Sequence, residues 1–119
     1  MHVLVTGGAG YIGSTLTSVL LESGHRVTAV DNLSQGAHAL LGFWAHPEYR
    51  FIRGDIGSPD TVDLALTGVD AVVHLAAIVG DPACAREPDV AKRVNEEGSL
   101  SLLDRCEGAD VERLVFAST

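Results

Sequence analysis

Residues 6–13 read Thr-Gly-Gly-Ala-Gly-Tyr-Ile-Gly, with glycines 7, 10 and 13 in a Gly-x-x-Gly-x-x-Gly spacing. Between a strand and a helix, glycines so spaced suit a pyrophosphate. One makes the tight turn, a second lets the main chain approach the phosphates, and a third lets the helix pack closely. The free N–H groups at the helix start then face two phosphates. Asp31 follows 18 residues after Gly13, where a second strand would end. A carboxylate there can accept hydrogen bonds from both hydroxyls of an adenosine ribose. It would repel a 2′-phosphate, and Asn32-Leu33-Ser34 follow it with no arginine to offset that repulsion. The pattern therefore points to NAD rather than NADP, with Gly7, Gly10 and Gly13 under the pyrophosphate and Asp31 on the ribose.

Other chemistries find little support. Cys84 and Cys106 stand 22 positions apart, without Cys-x-x-Cys or Cys/His ligand spacing, and read as free thiols in a reducing compartment. The histidines at 2, 25, 38, 46 and 74 are scattered, and no metal site is expected. Sixteen acidic residues against eight basic ones give a net charge of −8, which repels nucleic-acid backbones. No apolar run approaches the ~18 residues of a membrane span. The chain begins in a strand-like run, His2-Val3-Leu4-Val5, and a cytoplasmic protein is expected.

The elements that must carry the motif alternate between short apolar runs and amphipathic segments. Strands are expected at Val3–Val5, Arg26–Val30, Tyr49–Arg53, Ala71–Leu75 and Arg113–Ala117. A helix over about residues 11–23 would turn Ile12, Leu16, Val19 and Leu20 inward and stop at Gly24. A further helix is expected over residues 37–45, which are apolar without clear periodicity and are closed by Pro47. Ser58-Pro59-Asp60 reads as a capped helix start, followed by Val62, Ala65, Leu66 and Val69 at helical spacing. A longer helix after Pro88 would bury Val90, Val94 and Leu102. Apolar strands, each followed by a helix, predict one α/β domain over residues 1–119. Its sheet would be parallel and doubly wound, in order 3-2-1-4-5.

Six motifs then occur in order: Thr-Gly-Gly-Ala-Gly-Tyr-Ile-Gly-Ser (6–14), Asp-Asn-Leu-Ser (31–34), Gly-Asp-Ile (54–56), His-Leu-Ala-Ala (74–77), Val-Asn-Glu-Glu-Gly (94–98) and Phe-Ala-Ser-Thr (116–119). Together they resemble the extended short-chain dehydrogenases/reductases, the NAD-dependent nucleotide-sugar epimerases and dehydratases. The resemblance implies that Tyr11 and Ile12 sit beside the pyrophosphate, and that Asn32, Leu33 and Ser34 join Asp31 around the cofactor. It implies that Asp55 and Ile56 touch adenine, that Leu75, Ala76 and Ala77 line the nicotinamide side, and that Asn95 lies near the cofactor. Thr119 matches the Ser/Thr that hydrogen-bonds the reacting hydroxyl. A lysine that the galactose-epimerase subgroup carries after the Ala-Ala pair is replaced here by the run Ile78-Val79-Gly80-Asp81-Pro82.

The family's chemistry also needs a tyrosine four residues before a lysine, to move the hydroxyl proton while NAD takes the hydride. Pro88 stands four before Lys92, the only lysine, and Tyr11 and Tyr49 have Thr15 and Arg53 at the required offset. The chain thus reads as the N-terminal, NAD-binding piece of a longer enzyme that would meet its nucleotide sugar elsewhere, and as inactive alone. A non-catalytic NAD-binding or redox-sensing module is the alternative. The fifth strand, Leu114-Val115-Phe116-Ala117, would then be a bare apolar edge, and self-association is expected.

Overall fold

The computed structural model describes residues 1–33, 36–75 and 99–116, with only the main chain of Ala39. In chain order these form β1 (His2–Thr6), α1 (Tyr11–Glu22), β2 (Arg26–Asp31), a 3-10 turn (His38–Leu40), β3 (Tyr49–Arg53), α2 (Pro59–Ala65), β4 (Ala71–His74), a helix over residues 99–108 designated α3, and β5 (Arg113–Phe116). The five strands make one parallel sheet in the order β3-β2-β1-β4-β5. This is the doubly wound arrangement that the strand and helix alternation predicts.

Side chains alternate across the sheet, and each face has its own core. Leu4, Val30 and Val72 meet Val62, Ala65, Leu66 and Val69 around α2, with Leu102 and Cys106 of α3. Val3, Val5, Val27 and Ala71 meet Leu21 of α1, with Leu16, Leu20, Phe43 and Tyr49 packed at the margin. The α2 face follows the expected spacing, and Leu102 is fully buried. Val90 and Val94 lie outside the described residues.

The face of α1 is a correction. Leu16 and Leu20 pack against the core as expected, but Ile12 and Val19 are exposed, and the buried line is Gly13, Thr17 and Leu21. Close contact between Gly13 and the main chain of Gly7 and Gly8 sets the rotation of the helix. Hydrophobicity alone points a different stripe inward. The helix ends as expected at Gly24, whose φ of 87° suits glycine. Gly24 N–H donates to the Leu21 carbonyl and His25 N–H to that of Leu20, a Schellman closure. Ser58 precedes α2 without a side-chain capping bond; its carbonyl instead accepts from Val62 N–H. Residues 37–45 give only the short 3-10 turn, which buries Leu40 and leaves Leu41 and Trp44 outside.

Candidate dinucleotide-binding site

The glycine loop, the turn after β2 and the turn after β3 all lie at the C-terminal ends of parallel strands, where open α/β sheets bind ligands. Gly7 leaves β1 with φ 73°, in the left-handed region that a side chain disfavours. Its N–H donates to the Val30 carbonyl at 2.7 Å, tying the turn to β2. Gly10 caps α1, and Ser14 N–H donates to its carbonyl. The N–H groups of Tyr11, Ile12 and Gly13 have no acceptor among the described residues. They are the unpaired donors of a helix start, with the positive end of the helix dipole behind them.

Absence of side chains is a steric requirement here. A Cβ at Gly13 would collide with the Gly7 carbonyl oxygen and lie 2.9 Å from Gly8 Cα. A Cβ at Gly8 would lie 2.5 Å from Ala29 Cβ, whereas one at Gly10 would meet only the Gly7 oxygen at 3.3 Å. Gly8 is thus a member of the cradle that the three-glycine spacing passes over. Its neighbour Gly7 and the small Ala29 on β2 are the only hints of it in the sequence.

Asp31 is half-buried and braces the loop from β2. Its Oδ2 accepts from Ala9 N–H at 3.0 Å, and its Oδ1 from Leu33 N–H at 2.8 Å. Each oxygen keeps capacity for a further donor, so the carboxylate is fixed yet still able to accept two hydroxyls. Leu33 takes a left-handed φ of 63° and Gly36 N–H closes the turn onto its carbonyl. Asn32 is exposed beside it. On β3's turn, Asp55 Oδ1 accepts from Gly57 N–H at 2.8 Å, leaving Oδ2 outward on an exposed side chain. The Ile56 side chain is buried in the α2 core, which leaves its main chain for any ligand contact. Tyr11 and Ile12 present exposed side chains at the mouth of the loop.

At the end of β4, Leu75 packs at the margin of the α1 core. Its N–H donates to the Thr6 carbonyl at 3.1 Å and to Thr6 Oγ1 at 3.0 Å. Buried His74 joins the same network: Nδ1 lies 2.7 Å from Thr6 Oγ1 and Nε2 3.0 Å from Ser99 Oγ on α3. Burial holds its imidazole below the ordinary histidine range. The sequence reading missed this tie; a histidine at the end of an apolar strand is its only sign there. Gly7, Gly10, Tyr11, Ile12, Gly13, Asp31, Asn32, Leu33, Asp55, Ile56 and Leu75 therefore gather along one sheet end. Ser34, Ala76, Ala77, Asn95 and Thr119 lie outside the described residues. Among the described residues no group of three His, Cys, Asp or Glu could hold a metal.

With the fold and cradle in place, comparison with known proteins identifies the class. Residues 3–119 match the model of the NAD dependent epimerase/dehydratase family, and the chain belongs to that family. It is 40% identical over 121 residues to a UDP-glucose 4-epimerase of Corynebacterium glutamicum, covering 100% of this chain and 35% of that one. It is 37% identical over 122 residues to a 3 beta-hydroxysteroid dehydrogenase/Delta 5-->4-isomerase of Mycobacterium tuberculosis, covering 99% and 31%. A dTDP-glucose 4,6-dehydratase from Streptomyces venezuelae, solved with NAD bound, superposes with TM-score 0.92 at 35% identity, covering 100% of this chain and 39% of that chain. The Thermus thermophilus UDP-glucose 4-epimerase in complex with NAD gives 0.88 at 37% identity, covering 100% and 38%. The chain spans about a third of the length of the curated relatives it matches.

Proposed function

We propose that this chain is the NAD-binding portion of a nucleotide-sugar epimerase or dehydratase. The observation that carries the reading is the cradle: three N–H groups at the start of α1 without an acceptor among the described residues, Gly8 and Gly13 with no room for a Cβ, and Asp31 held beside them. A pyrophosphate would lie against the N–H groups of Tyr11, Ile12 and Gly13, and the ribose hydroxyls would donate to Asp31. Asn32, Leu33 and Ser34 would flank the ribose, Asp55 and Ile56 the adenine, and Leu75, Ala76, Ala77 and Asn95 the nicotinamide side. Bound NAD supplies a reversible hydride acceptor. Thr119 would hydrogen-bond the reacting hydroxyl.

No Tyr-x-x-x-Lys occurs among these 119 residues, so we expect them to turn over no nucleotide sugar by themselves. Measurable epimerisation by this chain would overturn that expectation. Calorimetric titration with NAD tests the binding itself, with Asp31→Ala as the control expected to lose at least about tenfold in affinity. A folded chain that ignores millimolar NAD would refute the reading. A cytoplasmic location accords with it, as does the free buried thiol of Cys106. Among the described residues no helix is long and apolar enough to cross a membrane. Val115 and Phe116 are exposed on β5, the last strand of the sheet among the described residues, and support self-association. A clean monomer in sedimentation at high concentration would refute that part.

A further inference from the structure

No arginine follows Asp31 along the chain, yet the sheet places one beside it. In the parallel β2–β3 pair Asp31 is the register partner of Arg53. Register partners project from the same face, one strand spacing apart. Gly54 N–H donates to the Asp31 carbonyl at 3.1 Å, so the pairing persists through this point and Arg53 cannot drift from β2. The Arg53 side chain is exposed and makes no hydrogen bond or ion pair with any described residue. Asp31 has its two oxygens tied to Ala9 and Leu33, and no ion pair joins it to Arg53. A guanidinium without a partner among the described residues is therefore carried on the strand beside that carboxylate.

We propose that Arg53 is a specificity-determining residue that recognises a phosphate ester on the adenosine ribose, making NADP a second, weaker nucleotide for this site. Asp31 repels a 2′-phosphate, and Arg53 supplies the opposite charge from the neighbouring strand. A planar guanidinium is also suited to two phosphate oxygens at once. Asp31 then sets the preference for NAD, and Arg53 limits how strict that preference is. The inference rests on the NAD reading above and extends it to the ribose phosphate.

The test is titration of NAD and NADP against the natural chain, Arg53→Gln and Arg53→Lys, at low and at raised salt. Arg53→Gln should weaken NADP by about three- to tenfold at low ionic strength, with the difference shrinking as salt screens the pair. NAD should change by less than about twofold, as expected of an exposed surface charge. Arg53→Lys should keep most of the NADP affinity. The same series in an Asp31→Asn background removes the repulsion and brings NADP binding into measurable range. An Arg53→Gln variant whose NADP affinity is unchanged, or whose two affinities fall equally, would overturn the proposal without touching the reading of the site as an NAD site. Binding of neither nucleotide by the natural chain would overturn the cofactor reading, and this inference with it.

Discussion

Replacing Gly13 by alanine tests the cradle most sharply, because helix propensity and packing predict opposite signs. In an ordinary helix interior the change stabilises by about 0.8–1 kcal/mol. Here the added Cβ would press on the Gly7 oxygen, and would lie 2.9 Å from Gly8 Cα and 3.0 Å from the Gly7 carbonyl carbon. All three obstacles are main chain, so no rotamer change relieves them. The start of α1 must retreat, and Thr17 and Leu21, buried on the same line, lose contact with the sheet. With every obstacle main chain, overpacking costs toward the upper part of its usual range, about 2–3 kcal/mol. Set against the propensity gain, we expect a net loss of about 1–2 kcal/mol, or a Tm lowered by roughly 4–10 °C.

Two companion substitutions calibrate the effect. Gly10→Ala meets only one oxygen at 3.3 Å and should be mild in stability. Gly8→Ala meets Ala29 Cβ at 2.5 Å, a side chain that can be removed. The pair Gly8→Ala with Ala29→Gly should therefore recover about 1 kcal/mol or more beyond additivity in a double-mutant cycle. Urea denaturation without nucleotide reads stability, and NAD titration reads the displaced N–H groups. A Gly13→Ala chain as stable as the natural one, or less affected than Gly10→Ala, would refute the packing argument.

Further predictions concern groups that the two cores hold. Tyr49 has a buried hydroxyl with no hydrogen-bond partner among the described residues, and burial, with the Asp31 charge adding, pushes its phenol up to about 12. Tyr49→Phe should leave stability unchanged or raise it by about 0.5–1 kcal/mol, and should remove an alkaline absorbance step near that pH; a large loss would mean the hydroxyl is paired. His74 is depressed by burial from an ordinary 6.5, so the unfolded chain binds the proton first on acidification. Stability should be full above about 6.5 and fall below it until the folded pKa is passed, with His74→Asn giving a flatter Tm profile across that window. Leu102→Ala should cost about 2–5 kcal/mol by emptying a fully buried position between α3 and the sheet, read as a lowered urea midpoint. Asp31→Asn should destabilise the chain by about 1 kcal/mol even without nucleotide, because one amide oxygen cannot accept from both Ala9 and Leu33; equal stability would show that those ties contribute nothing.

Strand position was legible in the sequence because it follows from local composition, and strand order because each strand is followed by a helix and right-handed crossovers constrain the winding. Val3–Val5 and Ala71–Val73 are continuous apolar runs and Val27–Val30 is broken only by Thr28, as a sheet covered on both faces requires. What hydrophobicity could not give was the rotation of α1. Ile12 and Val19 are more apolar than Thr17, yet Thr17 is buried. Contact between two stretches of main chain decides that rotation, and Thr17 satisfies its hydroxyl on the Gly13 carbonyl. Gly8 was hidden for a similar reason: its requirement comes from Ala29, on another strand. The neighbourhood of Asp31 shows the same limit. Its sequence neighbours are Asn32 and Leu33, but its neighbour across the sheet is Arg53, and only register brings the two together.

The cradle is held by constraints that reinforce each other before any ligand arrives. Gly7 is tied to Val30 at the end of β2, Ala9 to Asp31 one residue later, and Gly54 of the next turn to the Asp31 carbonyl. Two turns, the glycine loop and the one after β3, are thus referred to the same two residues of one interior strand. The close approach of Gly13 to Gly7 then fixes where the first helix begins, and with it the direction of the unpaired N–H groups. Because these bonds form on folding, the anion-binding groups need little rearrangement to meet a pyrophosphate, which lowers the ordering cost of binding. The same economy explains why Asp31 cannot be read as a ligand contact alone. A substitution there disturbs the loop that presents the phosphate donors as well as the carboxylate that faces the ribose, so its effect on affinity will exceed what two lost hydroxyl bonds account for.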